Sequence, residues 1–215
     1  MQSALPEKFR HIVVEGPIGA GKTSLARRLA DATGAALMLE APEENPFLAK
    51  FYRDMARYAL PTQLFFLFQR IHQLAELKQP DMFKGATVGD FLFEKDPLFA
   101  RLTLDDAEYQ LYTKIYAHVK PQAPVPDLVI YLQASVNTLV ARVKKRGNPI
   151  ENGMDEEYLR RLSEAYTRYF YDYADGPLLI VNSEKLNFAE VPEHLDLLIE
   201  RVDAMRGGRE FFNRA

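Results

Sequence analysis

Gly16-Pro17-Ile18-Gly19-Ala20-Gly21-Lys22-Thr23 lies between a β-branched run, Arg10-His11-Ile12-Val13-Val14-Glu15, and a stretch with Leu25, Ala26, Leu29 and Ala30 at helical spacing. The run predicts a buried strand that stops at Gly16 and Pro17, and Gly34 falls where a glycine ends a helix. Strand, glycine-rich turn and helix form the context in which GxxxxGK[ST] carries a mechanism. Glycines let successive backbone N–H groups point at one spot, and the helix N-terminus adds partial positive charge there, so the turn suits a triphosphate. Gly16, Gly19, Ala20 and Gly21 would supply the nest, with Ser24 beside it. Lys22 would set an ammonium against the β and γ phosphates, and the Thr23 hydroxyl would help hold Mg2+. A glycine turn kept only for close strand–helix packing is the competing explanation, and the flanking periodicity argues against it.

Outward from this turn, residues 35–39 form a second short apolar run that delivers Glu40 at its end. Helices are expected over 46–58 and 61–79, each opened by a proline suited to a first helical turn, with Pro80 closing the second. Residues 86–89 are a short strand candidate that presents Asp90. Thr103 with Asp106 three residues on imitates a capping box, which predicts helix over about 103–119. Pro121, Pro124 and Pro126 make a loop, 128–132 reads as a strand, and 135–146 as a helix stopped by Gly147. A helix over 154–173, a strand over 178–181 and a helix over 191–205 complete the pattern. Such alternation predicts an α/β fold: a parallel sheet of five strands, helices on both faces, right-handed crossovers. Ligands then gather at the carboxyl ends of the strands. No repeat or break in composition divides the 215 residues, so one domain is expected.

Composition narrows the function classes. With 47% hydrophobic and 27% charged residues the chain can bury a core, and a net charge of −3 offers no global positive field to nucleic acid or an anionic membrane. Phosphate must therefore be met by local charge. Zero cysteines removes disulfides, thiolate metal sites and cysteine nucleophiles together. No run approaches about 20 apolar residues, and Met1 to Arg10 does not read as a secretory leader, so a cytoplasmic protein is expected. His11, His72, His118 and His194 lack metal-ligand spacing and are expected to be structural or exposed.

A phosphate turn leaves the reaction open, since kinases, GTPase switches and motor ATPases all use one. The guanine-reading NKxD segment of a GTPase is missing from the sequence. Glu40 stands where the sheet rule puts ligand chemistry and could take a proton from an attacking hydroxyl; alone, it reads more simply as a solvated loop acid. Gln63 and Arg70, seven residues apart, share one helix face amid Leu64, Phe65, Phe66, Leu67 and Phe68. Burial there would oblige Arg70 to find an acid or a ligand, with Asp96 the candidate acid. An amide and a guanidinium beside aromatic rings suit a flat heterocycle, and a structural ion pair suits the same residues equally. Arg142 and Arg146, with Lys144 and Lys145 between them, precede Gly147-Asn148-Pro149; such cations can close over transferring phosphates or simply complement a helix dipole. The helix with Tyr158, Leu162, Tyr166, Tyr169, Phe170 and Tyr173 is expected to be core or a subunit interface.

Together these residues resemble the deoxyribonucleoside kinase family, in particular bacterial deoxyadenosine and deoxyguanosine kinases, from about His11 to about Phe188. The resemblance is carried by the glycine turn, Leu39-Glu40-Ala41-Pro42-Glu43-Glu44-Asn45-Pro46-Phe47, Tyr52, and residues 63–70, 90–99, 142–146 and 181–188. It implies a P-loop kinase fold, usually a homodimer. It also implies Mg2+-dependent transfer of the ATP γ-phosphoryl group to the 5′-hydroxyl of a deoxyribonucleoside, a purine by preference. Glu40 would then be the general base, and Tyr52 with Glu151 would meet the 3′-hydroxyl. Gln63, Arg70 and Asp96 would read the base, and Asp90 would serve substrate and metal. Arg142 and Arg146 would bind phosphate, with residues 182–188 bordering the adenine of ATP. One departure matters: the family usually follows its acid with Arg and then Ser or Thr, where this chain has Asp90-Phe91-Leu92. Phe91 cannot supply that charge; in a helical segment Lys95 would lie one turn beyond it on the same face and take its place. A thymidylate or other nucleoside monophosphate kinase is the nearest alternative, although it needs cations where the Glu40 region is acidic. A nucleotide-dependent switch is the second.

Overall fold

The computed structural model describes residues 9–77, 85–120 and 125–213. Its central strand, β1 (His11–Glu15), buries Ile12, Val13 and Val14 completely or nearly so, as a strand covered on both faces must. The glycine turn leads into α1 (Lys22–Thr33), which packs Leu25, Ala26, Leu29 and Ala30 inward and ends at Gly34. Strands β2 (Ala36–Met38), β3 (Thr87–Gly89), β4 (Leu128–Gln133), β5 (Leu178–Asn182) and β6 (Arg209–Phe212) join β1 in one sheet. Their order is β2-β3-β1-β4-β5-β6, and every pairing is parallel. The expected α/β architecture is present with six strands in place of five. The sixth was missed because Arg209-Glu210-Phe211-Phe212 has no buried run: it is an edge strand held by main-chain pairing to β5.

Helices flank the sheet. They are α2 (Leu48–Phe51), α3 (Met55–Leu77), α4 (Asp96–Thr103), α5 (Asp106–Val119), α6 (Val136–Arg146), α7 (Glu156–Asp172) and α8 (Pro192–Ala204). Helix α1 packs on α8, while α3, α4, α5 and α7 pack on one another. The tyrosine-bearing α7 is core: Tyr158, Leu162, Tyr166 and Phe170 are buried at every fourth position.

Three local expectations are corrected. The two proline-opened helices over 46–58 and 61–79 are instead the short α2 and a continuous α3 with Pro61 inside it. Asp54 caps α3 by accepting from the Arg57 N–H at 3.3 Å, and burial of Ala59, Leu67 and Leu74 holds the helix together across the missing proline donor. The end expected at Pro80 lies outside the described residues. The capping box belongs to Asp105 and Glu108, whose side chains and backbones bond reciprocally, and Thr103 closes α4. Residues Phe91 and Leu92 are not helical; Leu92 is extended, and Phe93–Lys95 form a 3-10 turn.

The topology locates the site. From β1 the chain moves to β2 and β3 on one side, then crosses to β4 on the other, opening a crevice at the carboxyl end of β1. Val13 and Met38 both align with Gly89, so Gly16, Glu40 and Asp90 emerge along one edge.

Candidate active site

The turn after β1 has the shape its glycines allow. Gly19 has φ +86°, and a Cβ there would stand 2.7 Å from the Leu139 carbonyl oxygen. At Gly16 a Cβ would come within 2.6 Å of the Leu132 carbonyl oxygen. Lys22 Nζ donates to the Pro17 carbonyl at 3.3 Å. Burial, reinforced by the Lys95 charge, lowers its pKa despite Glu15, Glu40 and Asp90 nearby, so the ammonium is short of compensation that a phosphate would supply.

Asp90 ties the strand ends together. Its Oδ2 accepts from Thr23 Oγ1 at 2.6 Å and its Oδ1 from the Glu40 N–H at 2.7 Å. Burial raises the Asp90 carboxyl above its ordinary value, opposed by these two hydrogen bonds. Thr23 and Asp90 form a hydroxyl–carboxylate pair open to the cleft; among the described residues no group of three His, Asp or Glu side chains stands ready to cage a cation. Such a donor set suits a Mg2+ ion that arrives with a nucleotide and keeps most of its water.

Glu40 is held from the opposite wall. Arg70 Nε donates to its Oε1 at 2.8 Å, and Lys95 Nζ stands 4.0 Å from the same oxygen. Burial alone would push this carboxyl up, but the Arg70 and Lys95 charges outweigh it and hold the pKa at about 2. Arg70 also pairs with Asp96, which accepts from the Tyr112 hydroxyl on its other oxygen. Asp96 is 0% exposed, sheathed by these partners.

Beneath Glu40 lies a second buried carboxylate, Glu15, with four donors. Its Oε1 accepts from the Leu92 N–H at 2.8 Å and Lys95 Nζ at 2.7 Å; its Oε2 accepts from the Gly16 N–H at 2.9 Å and the Tyr166 hydroxyl at 3.0 Å. This arrangement brings Lys95 to the cleft without the helix expected for it. Glu15 and Tyr112 were passed over in the sequence, and Tyr166 was expected only as core or interface. An acid at the buried end of a strand was a readable signal for Glu15; the tyrosines carried none.

The lid segment divides. Arg146 Nη2 pairs with Glu151 Oε1 at 2.5 Å beside Tyr52, whose phenol is pushed well above its ordinary value by burial, with Tyr158 and Glu151 adding to it. Arg142 instead donates to the carbonyls of Ser183 at 2.6 Å and Leu186 and Ala20 at 3.4 Å. It borders a neighbouring depression with Ala20, Lys145 and residues 184–190.

One cleft, open to solvent, is lined by Gly19, Gly21, Lys22, Thr23 and Ser24 on one side and by Glu40, Tyr52, Gln63, Arg70 and Lys95 on the other. Asp90, Arg146 and Glu151 complete its wall. Of the remaining candidates, Asp96 and Gly16 lie behind the wall, and Ala20 and Arg142 face the adjoining depression.

A phosphate nest and a half-buried carboxylate opening on the same crevice define a P-loop phosphotransferase with a small-molecule acceptor. The deoxynucleoside kinase family model matches residues 12–205, and the chain belongs to that family. It is a deoxyribonucleoside kinase, using ATP as phosphoryl donor. The chain is 38% identical over 156 residues to deoxyguanosine kinase of Bacillus subtilis, covering 72% of this chain and 75% of that protein. It is 32% identical over 191 residues to deoxyadenosine kinase of Lactobacillus acidophilus, covering 82% and 87%. A solved structure of deoxyadenosine kinase from M. mycoides with bound dATP superposes with a TM-score of 0.77 at 26% identity, covering 90% of this chain and 99% of that one.

Proposed function

We propose that this chain, acting as one domain, transfers the γ-phosphoryl group of ATP to the 5′-hydroxyl of a purine deoxyribonucleoside. The observation that carries the reading is the shared cleft, with Lys22 and Thr23 on one wall and the Arg70-held Glu40 on the other. Relatives named for deoxyguanosine and deoxyadenosine support the purine preference.

Glu40 orients the hydroxyl and receives its proton as the new P–O bond forms and the bond from the γ phosphorus to the β,γ-bridging oxygen breaks, ADP leaving with the electron pair. Lys22 and the turn amides hold the donor phosphates. Thr23 and Asp90 would hold Mg2+, which would supply positive charge to neutralise the donor phosphates. Lys95 adds fixed positive charge beside Glu40, in the role a family arginine would fill at Phe91. Arg146 offers charge from the lid over the acceptor side and Arg142 over the donor side. Tyr52 and Glu151 receive the 3′-hydroxyl, while Gln63 and Arg70, the latter held from behind the wall by Asp96, border the base.

A cytoplasmic setting accords with ATP as donor. A homodimer accords with Phe68 and Leu111, about half exposed on the adjoining helices α3 and α5. Light scattering checks it: a monomer mass at micromolar concentration rejects the dimer.

Transfer of label from γ-labelled ATP to a panel of deoxynucleosides and deoxynucleoside monophosphates tests the function. Label on deoxyguanosine or deoxyadenosine is expected. Label on monophosphates alone, or a clear advantage for deoxycytidine, overturns the assignment.

A further inference from the structure

Two carboxylates compete for one ammonium beneath the cleft. Lys95 Nζ stands 2.7 Å from Glu15 Oε1 and 4.0 Å from Glu40 Oε1. A lysine has a flexible stem and a compact charge, so its own side chain does not decide between the two acids. Their surroundings do. Glu15 is 0% exposed and, among the described residues, Lys95 is its one ion-pair partner, whereas Glu40 opens on the cleft and is already gripped by Arg70. A fully desolvated carboxylate demands a counter-charge more strongly than one that solvent and a guanidinium already serve.

The hydrogen bonds of Glu15 fix more than the ammonium. The oxygen that receives Lys95 also accepts the Leu92 N–H at 2.8 Å, so one acid anchors both the lysine and the start of the 3-10 turn that carries it. The other oxygen accepts the N–H of Gly16, where the phosphate turn opens, and the hydroxyl of Tyr166 on α7. The donor cradle and the acceptor-side cation are thus referred to a single buried group. A separation of 4.0 Å leaves Lys95 close enough to Glu40 to act on charge developing between them, and too far to hydrogen-bond it. In direct contact the two charges would neutralise each other: the lysine would be lost to the transferring phosphoryl group, and the base would hold a proton less readily still.

We propose that Glu15 is a positioning residue that holds the Lys95 ammonium off Glu40 and so keeps its charge free for the phosphoryl group in transfer. The inference rests on the nucleoside kinase reading of the same cleft and deepens it by naming what places the cation. Glu15 lies behind the cleft wall and acts only through Lys95.

A double-variant cycle on the full chain, with ATP and a deoxynucleoside, tests it. Glu15→Gln keeps the size of the side chain and removes its charge; Lys95→Gln removes the ammonium and keeps a donor for Glu15. Glu15→Gln should lower kcat at least about tenfold and leave KM for nucleoside and for ATP within about threefold of wild type. In the Lys95→Gln background the same change should lower kcat by less than about twofold, because the cation it positions is gone. Unfolding midpoints verify that each variant folds. Should Glu15→Gln fail to fold, Glu15→Asp, which withdraws the carboxylate by one carbon, takes its place in the cycle, and its smaller fall should vanish in the same background. An unchanged kcat in the single variant, an equal fall in both backgrounds, or a loss carried by KM overturns the proposal and leaves the kinase reading intact. Wild-type protein that phosphorylates no deoxynucleoside overturns both.

Discussion

Glu40 is fully ionised before any substrate arrives, because Arg70 and Lys95 together hold its pKa at about 2. So weak a base takes the proton only once bonding to phosphorus has acidified the hydroxyl, which accords with a loose phosphoryl-transfer transition state. Replacing Glu40 with Gln should lower kcat by about 10²- to 10⁴-fold with a much smaller change in nucleoside affinity. Steady-state kinetics beside isothermal titration decides it, and an unaltered kcat would exclude Glu40 from the chemistry. Lys95 is the companion case. Its Nζ is 2.7 Å from Glu15 and 4.0 Å from Glu40, buried where no solvent counter-charge competes. Lys95→Ala should reduce kcat by at least about 100-fold and leave nucleoside affinity nearly unchanged; a parallel rise in Kd would make Lys95 a binding group instead. Lys95 was legible only as a departure from the expected Arg at position 91, and the reason given for it, one helical turn, was wrong. The route is a 3-10 turn anchored when Glu15 accepts the Leu92 N–H, a contact between residues 77 apart in sequence.

Among the elements, the turn between β1 and α1 is the one whose local sequence and tertiary surroundings agree most closely. Gly19 needs both its positive φ and its missing side chain, since the Leu139 carbonyl of α6 fills the space a Cβ would take. Gly19→Ala should cost about 2 kcal/mol of unfolding free energy and weaken ATP binding. Urea unfolding and nucleotide titration measure the two effects, and a variant equal to wild type in both would mean that the turn relaxes freely. Elsewhere local signals were ambiguous. Thr103 and Asp106 share the three-residue spacing of Asp105 and Glu108, so spacing alone could not choose between them; Thr103 was already engaged, donating its hydroxyl to the Phe99 carbonyl at 2.8 Å. Pro61 resembles a helix opener, yet Asp54 had started α3 one and a half turns earlier. Both errors arose because a start signal reports that a helix can begin, and packing decides which start is used.

At the scale of the molecule, β1 enters the sheet at His11, whose two ring nitrogens are buried without hydrogen-bond partners. Burial, opposed by Asp127, lowers its pKa below the ordinary 6.5. The unfolded chain therefore takes up a proton at a higher pH than the folded one. The associated stability is complete above about pH 6.5 and is lost as pH falls through the folded pKa. Wild type should lose more thermal stability between about pH 6.5 and 5 than His11→Gln does, and equal slopes would show that His11 does not couple to unfolding. The sequence by itself determined the alternating α/β pattern, the phosphate nest and the identities of the acids and cations around it, since these follow from short-range periodicity and from spacing along one element. Only the tertiary structure decided that Glu40 rests on Arg70, that Lys95 rests on Glu15 and that Arg142 grips the 183–186 loop. Those facts depend on strand order and register, which bring residues 30 to 80 positions apart within hydrogen-bonding distance, and no local pattern encodes which of the many possible partners a buried charge will meet.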